Sequence, residues 1–219
     1  MRLHLVHLGQ FAKAVSDRTT ALAESHQVLT SSAADPRNGS PAFWPSADLR
    51  VLIVGRESPA LLRGLDKTVR ETRTPAAVVC LDHPRLRLGP LVMPDAGPCL
   101  GCMLTRRTQH DPSYAKAAAL YSAYDTHLEL EPAGYLAHHV EAAARWITAQ
   151  SATFAAGRPP IVPGQVSHLN LHTGHMTRDT VVGIHGCPVC RTTAPLSSST
   201  WEALARDLST TSTGTDNHV

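Results

Sequence analysis

Four cysteines arranged as two pairs are the residues best equipped for chemistry in this chain. They are Cys99 and Cys102 in Cys-Leu-Gly-Cys, and Cys187 and Cys190 in Cys-Pro-Val-Cys. Each pair can present two thiolates to one ion from a tight turn, and two such knuckles complete a tetrahedral all-thiolate site, the composition of a closed structural zinc centre. The knuckles lie much further apart than in a compact zinc finger, so the metal would pin remote parts of one domain together. Two disulfides or four unrelated thiols are the alternatives. Nothing in the sequence points to secretion, which argues against disulfides, and redox Cys-x-x-Cys motifs come singly beside a βαβ unit.

Other candidates carry less. Cys80, the fifth cysteine, falls in an apolar run and reads as core packing. His168 and His172 are an even number of residues apart and would share one face of a strand, with His175 nearby. A second metal site there is conceivable, but no carboxylate is spaced among them, and exposed strand positions are the simpler reading. Adjacent His138 and His139 diverge by about a third of a helical turn and read as surface residues. Arg106 and Arg107 read as a solvated basic face rather than a phosphate or partner contact. After the first apolar run comes Gly9-Gln-Phe-Ala, one glycine where a dinucleotide loop needs several, so a plain strand-to-helix turn is expected.

The elements that must position these residues follow from apolar periodicity. Strands are expected at Leu3–Leu8, Gln27–Leu29, Leu49–Val54 and Ala76–Leu81, with an alternating stretch from Arg85 to Met93. Helices are expected from Phe11 to Leu22, Pro59 to Glu71, Ser113 to Tyr124, Ala133 to Phe154 and Thr200 to Leu208. Ser58 can cap the second of these, with Pro59 at its first position. Val166–Leu171 and His175–Ile184 read as a hairpin that delivers the chain to the second knuckle. Residues 31–47 read as a variable loop whose Phe43 and Trp44 tuck onto the core, and 209–219 as a disordered tail. One domain over 1–208 is therefore expected.

Composition narrows the function classes. The chain has 219 residues, 42% hydrophobic, and a formal charge of +2, so no polyelectrolyte argument favours nucleic acid or membrane. No signal peptide and no stretch of about 18 apolar residues is found, which makes the cytoplasm the expected location.

Asp48-Leu-Arg-Val-Leu-Ile-Val, Thr74-Pro-Ala-Ala-Val-Val, Leu88-Gly-Pro-Leu-Val and Gly97-Pro-Cys-Leu-Gly-Cys together resemble the second half of the adenylating domain of ThiF-like, ubiquitin-activating-type enzymes. The resemblance is nearest to the ThiF-like partner proteins of thiazole/oxazole-modified microcin and thiopeptide biosynthesis, where a hairpin resembling His168-Leu-Asn-Leu-His-Thr-Gly-His precedes a closing Cys-Pro-x-Cys. It implies an α/β fold, a shortened and degenerate Rossmann-like domain with a zinc-stapled knuckle pair and a β-hairpin. Active members bind ATP through a glycine-rich loop and a helix bearing an Asp and an Arg. If Arg63 takes the arginine's place, Ser58 stands where the metal-binding carboxylate belongs. The resemblance therefore implies a non-catalytic scaffold supporting a YcaO-type cyclodehydratase on a precursor peptide, with no catalytic or nucleotide-binding residues of its own. It also implies that the usual N-terminal peptide-recognition module is missing. A homodimer is a further expectation, prompted by the alanine-rich turn Ala142–Ala144. The alternatives are an ATP-dependent adenylating enzyme acting on a carboxyl terminus and a zinc-dependent nucleic-acid binder.

Overall fold

The computed structural model describes residues 1–23, 26–35, 43–110, 112–128, 130–132, 134–157 and 163–190. The expected helix 200–208 and tail 209–219, and with them the end of the expected domain, lie outside these, as does the middle of the loop 31–47.

Seven strands form one sheet: β1 Arg2–Leu8, β2 Gln27–Ser32, β3 Leu49–Val54, β4 Ala76–Asp82, β5 Arg85–Val92, β6 Gln165–Asn170 and β7 Met176–Thr180. Their spatial order is β2-β1-β3-β4-β5-β6-β7. The first four run parallel, and β5, β6 and β7 are added antiparallel. Parallel strands covered on both faces need continuous apolar runs, and β3 is buried at all six positions.

The helices are α1 Gln10–Leu22, α2 Pro59–Thr72, α3 Leu100–His110, α4 Tyr114–Thr126 and α5 Ala137–Ala155. Alternation along the strands sorts the core into two layers. Leu3, Leu5, Val51, Ile53 and Val79 face Phe11 and Val15 of α1 and Ala143, Ala144 and Ile147 of α5. Val6, Leu52, Val54, Val78 and Cys80 face Leu62, Leu65 and Val69 of α2 and Leu100 and Met103 of α3. The alanine-rich turn of α5 is thus packed into the core, with Ala143 and Ala144 buried against the same cluster as Phe11 and Val15 of α1.

Other expectations need correction. β2 runs on to Ser32, into the expected loop, and α5 starts at Ala137 rather than Ala133. Trp44 packs on the core as expected, but Phe43 is 71% exposed. Trp44 lies over the buried Arg50 guanidinium, 5.1 Å from carbon to ring centre. Arg50 donates to His4 Nδ1 at 3.1 Å. Burial, with Arg50 beside it, pushes the His4 pKa down to about 4, which keeps that ring neutral. His139 is buried, not a surface residue, because its Nδ1 accepts the backbone N–H of Leu136 and closes the start of α5.

Candidate functional site

α3 carries the first cysteine knuckle. Its start is fixed by Asp66 of α2, whose carboxylate accepts the backbone N–H groups of Leu100 and Gly101, both at 3.3 Å. A carboxylate there satisfies orphan donors and complements the helix dipole. The second knuckle follows β7. Arg106 holds this stretch by donating to the carbonyls of Val182 and Gly183, so it is not the solvated residue expected.

The two knuckles meet. Cys99 Sγ is 3.7 Å from Cys102 Sγ and 3.7 Å from Cys187 Sγ, and Cys102 Sγ is 3.5 Å from Cys190 Sγ. All four sulfurs lie within 4.8 Å of one another. A disulfide needs about 2.05 Å, so these are free thiols. Four thiolates at ~2.3 Å from one ion are about 3.8 Å apart along each tetrahedral edge, and the observed separations fit that figure. Backbone N–H groups of Cys102 and Ile184 point at Cys99 Sγ and Cys102 Sγ, at 3.4 and 3.3 Å. Burial would raise the Cys187 thiol, but N–H bonds from Cys190 and Val189 outweigh it and bring its pKa to about 7. Three of the four cysteines are buried and Cys190 is half-buried, and together they could hold one metal ion through four sulfurs.

His168, His172 and His175 do not assemble. β6 ends at Asn170, so His172 lies in the turn and shares no strand face with His168. His168 Nδ1 instead meets Asp179 of β7, at 3.2 Å. Burial lowers the His168 pKa against the opposing pull of Asp179. Asp179 is a carboxylate that spacing within β6 could not reveal.

In an open α/β sheet, ligands bind outside the carboxyl ends of the strands where the strand order reverses. Here that point lies between β1 and β3, and it is filled from within. Glu131, in the segment after α4, accepts the N–H of Gln10 at 2.7 Å and of Phe11 at 3.4 Å at the start of α1. Its carboxylate lies so close to Gly9 and Gly55 that a Cβ at either would overlap it. This is the geometry of an anion on a helix N-terminus, with a side-chain carboxylate in the anion's place. The strand-to-helix turn at Gly9 is therefore occupied by the Glu131 carboxylate. The Phe11 ring points into the core, with Tyr135 edge-on at 5.5 Å.

The start of α2 is filled in the same way. Ser58 makes no side-chain cap to its own helix. It donates to Asp125 Oδ1 at 2.7 Å, and Asp125 Oδ2 accepts the N–H of Ala60 at 3.1 Å. Asp125, at the end of α4, thus places a carboxylate beside Ser58, where the Ser58 hydroxyl and the first turn of α2 engage it. Arg56 ties the segment down by donating to the carbonyl of His127 and stacking 4.6 Å from the Tyr124 ring centre. Replacing Glu131 with Ala removes an N-terminal cap, and a loss of about 1 kcal/mol in urea denaturation is expected.

A buried ionic cluster adjoins this crevice. Glu57 is paired with Arg87 at 2.7 Å and with Arg107, and Arg107 reaches Asp82 at 2.9 Å and Tyr121 at 3.1 Å. Arg107 is therefore also engaged, not a solvated face. Cys80 Sγ lies 4.0 Å from Glu57 and is buried as expected. Arg63 borders a small cavity beside Glu57 and Tyr121.

No protein-family model and no curated protein matches the sequence. Solved structures do match in fold. The heterocyclase TruD superposes with a TM-score of 0.61 at 17% identity, over 86% of this chain and 27% of that one. The Escherichia coli microcin synthetase McbBCD complex gives 0.60 at 12%, over 85% and 67%. E. coli MccB with AMPCPP and MccA gives 0.57 at 14%, over 85% and 66%. The chain thus spans about a quarter of the heterocyclase's length. At these identities the likeness is one of fold, and the chain has the ThiF-like α/β fold.

Proposed function

We propose that the protein is a non-catalytic ThiF-like accessory subunit in the maturation of ribosomally synthesised peptides, supporting a YcaO-type cyclodehydratase that acts on a precursor peptide. The observation that carries this reading is the closed crevice: Glu131 occupies the anion position at Gly9 and Gly55. A nucleotide phosphate would have to displace a carboxylate tethered by the same chain. The fold likeness to a heterocyclase and to a microcin synthetase supports the choice of pathway. In the same reading Cys99, Cys102, Cys187 and Cys190 hold one zinc ion, which braces the fold and takes no part in chemistry.

The adenylating alternative draws on the likeness to MccB, seen with AMPCPP. Two measurements separate the readings. The protein alone is expected to give no ATP binding by calorimetry and no pyrophosphate exchange. Added to a purified YcaO-type enzyme with precursor peptide and ATP, it is expected to raise the rate of water loss from the peptide at least tenfold, read by mass spectrometry. Exchange above background with the protein alone would reverse the assignment, and an unchanged rate would end the scaffold reading.

A further inference from the structure

A cavity of about 700 Å³ opens on the side of the sheet that α2 and α3 cover. Its floor is Arg87 of β5, Val166 and His168 of β6 and Asp179 of β7, and its wall is Met103 and Arg106 of α3. The floor ends at β7, which is exposed at all five positions and, among the described residues, has β6 as its one neighbour in the sheet.

Among the described residues no strand pairs with the outer edge of β7. Bonds from Asn170 N–H to the His175 carbonyl and from Val181 N–H to the Gly164 carbonyl bracket the β6–β7 ladder. Alternation in an antiparallel pair then turns Thr177 and Asp179 toward β6 and leaves the backbone groups of Met176, Arg178 and Thr180 facing outward. Proteins guard such edges with short strands, charged side chains, proline or a bulge; β7 is five residues long and carries Arg178 and Asp179, which limits pairing to a short segment of matching charge. Met176-Thr-Arg-Asp-Thr180 has no proline, and its register with β6 has no shift.

The electrostatics indicate what would lie there. Arg87 and Arg107 are matched by Glu57 and Asp82. Arg106 donates to two carbonyls and to Gln109, and meets no carboxylate among the described residues. The lengths agree as well. The 11 residues of α3 span about 16 Å at ~1.5 Å each, and five extended residues span about the same at ~3.3 Å.

We infer that β7 and the cavity beside it dock an extended segment of a partner polypeptide, which adds as an eighth strand and places a carboxylate side chain against Arg106. Backbone pairing supplies the affinity and the alternate side chains that enter the cavity supply the selectivity. This goes beyond the scaffold reading and does not depend on it.

The test uses the full chain and two fluorescein-labelled peptides, Val-Glu-Val-Glu-Val and Val-Lys-Val-Lys-Val, followed by fluorescence anisotropy. The acidic peptide is expected to bind at least tenfold more tightly than the basic one. Arg178→Pro removes an outward N–H without touching the β6 ladder and is expected to weaken binding at least tenfold, whereas Arg178→Ala keeps that N–H and should stay within about threefold. Arg106→Glu should abolish the preference for the acidic peptide. Circular dichroism and metal content check that each variant is folded. Equal binding of both peptides, no binding of either, or an Arg178→Pro variant that binds like the parent overturns the inference. A dimer that Arg178→Pro converts to monomer would show the edge serving a second copy instead, and would also overturn it.

Discussion

Chelating the metal is expected to loosen β6, β7 and the start of α3 together while leaving the β1–β4 half of the sheet protected. The four sulfurs join the first turn of α3 to the chain that leaves β7, and β7 has, among the described residues, one strand neighbour to hold it otherwise. Metal analysis should give one zinc per chain. Cys187→Ser should cost about 4 kcal/mol or more, in the range reserved for lost metal sites and other named structural failures. Because the ligands must be deprotonated, metal affinity should fall as pH falls. Hydrogen exchange with and without chelator reads the effect region by region. A metal-free preparation with the same exchange pattern as the parent would remove zinc from the account.

Glu57→Gln is expected to destabilise the protein by about 3–5 kcal/mol, the range for breaking a buried ion pair from one side. The Glu57 carboxylate is 1% exposed and faces two guanidiniums, so its removal leaves Arg87 buried with an uncompensated charge. Burial alone would raise the Glu57 pKa, but Arg87 and Arg107 outweigh it and hold it below the ordinary value. A depressed carboxylate pKa contributes stability that is present above the unfolded-state value, near ~4.3, and is lost as pH falls through the folded-state value. The gap in urea midpoint between parent and variant should therefore be full at pH 7, narrow as pH falls below about 4.3 and close only below the folded-state value. The double substitution Glu57→Leu with Arg87→Met should cost less than Glu57→Gln, since it removes both charges together. Equal midpoints for parent and Glu57→Gln at pH 7 would refute the role given to this pair.

The sequence made some of this visible for identifiable reasons. Cys-x-x-Cys is a local pattern, so the knuckles can be read from spacing, and a fully buried strand such as Leu49–Val54 announces itself by an apolar run. Contacts set by distant residues leave no such trace. Glu131 acts on α1 across 121 positions of chain, and Asp125 acts on Ser58 across 67. Each is an ordinary acidic residue beside the end of a helix with little apolar bias. The partners of Arg107, Glu57 and Asp82, follow β3 and end β4, so its own neighbours in sequence do not reveal them. His139 is buried beside an exposed His138, and the identical residue type hides the difference. The departures gather where strands end and helices begin, where side chains from several elements meet and periodicity says least.

The span between the knuckles also bears on when the protein matures. Cys99 and Cys187 are 88 positions apart, so a ribosome-bound chain exposes the first pair well before the second exists. Closing a flexible loop of that size costs about 4 kcal/mol in chain entropy, and contacts of such long sequence separation form late. An ion captured early by the first pair would be held by two ligands until β5, α3, α4, α5 and the hairpin had come together. If the four cysteines hold zinc as proposed, metal capture in full would be a final event in biogenesis, and a zinc-starved cell should accumulate chains whose amino-terminal strands are formed and whose carboxyl-terminal hairpin is open to proteases.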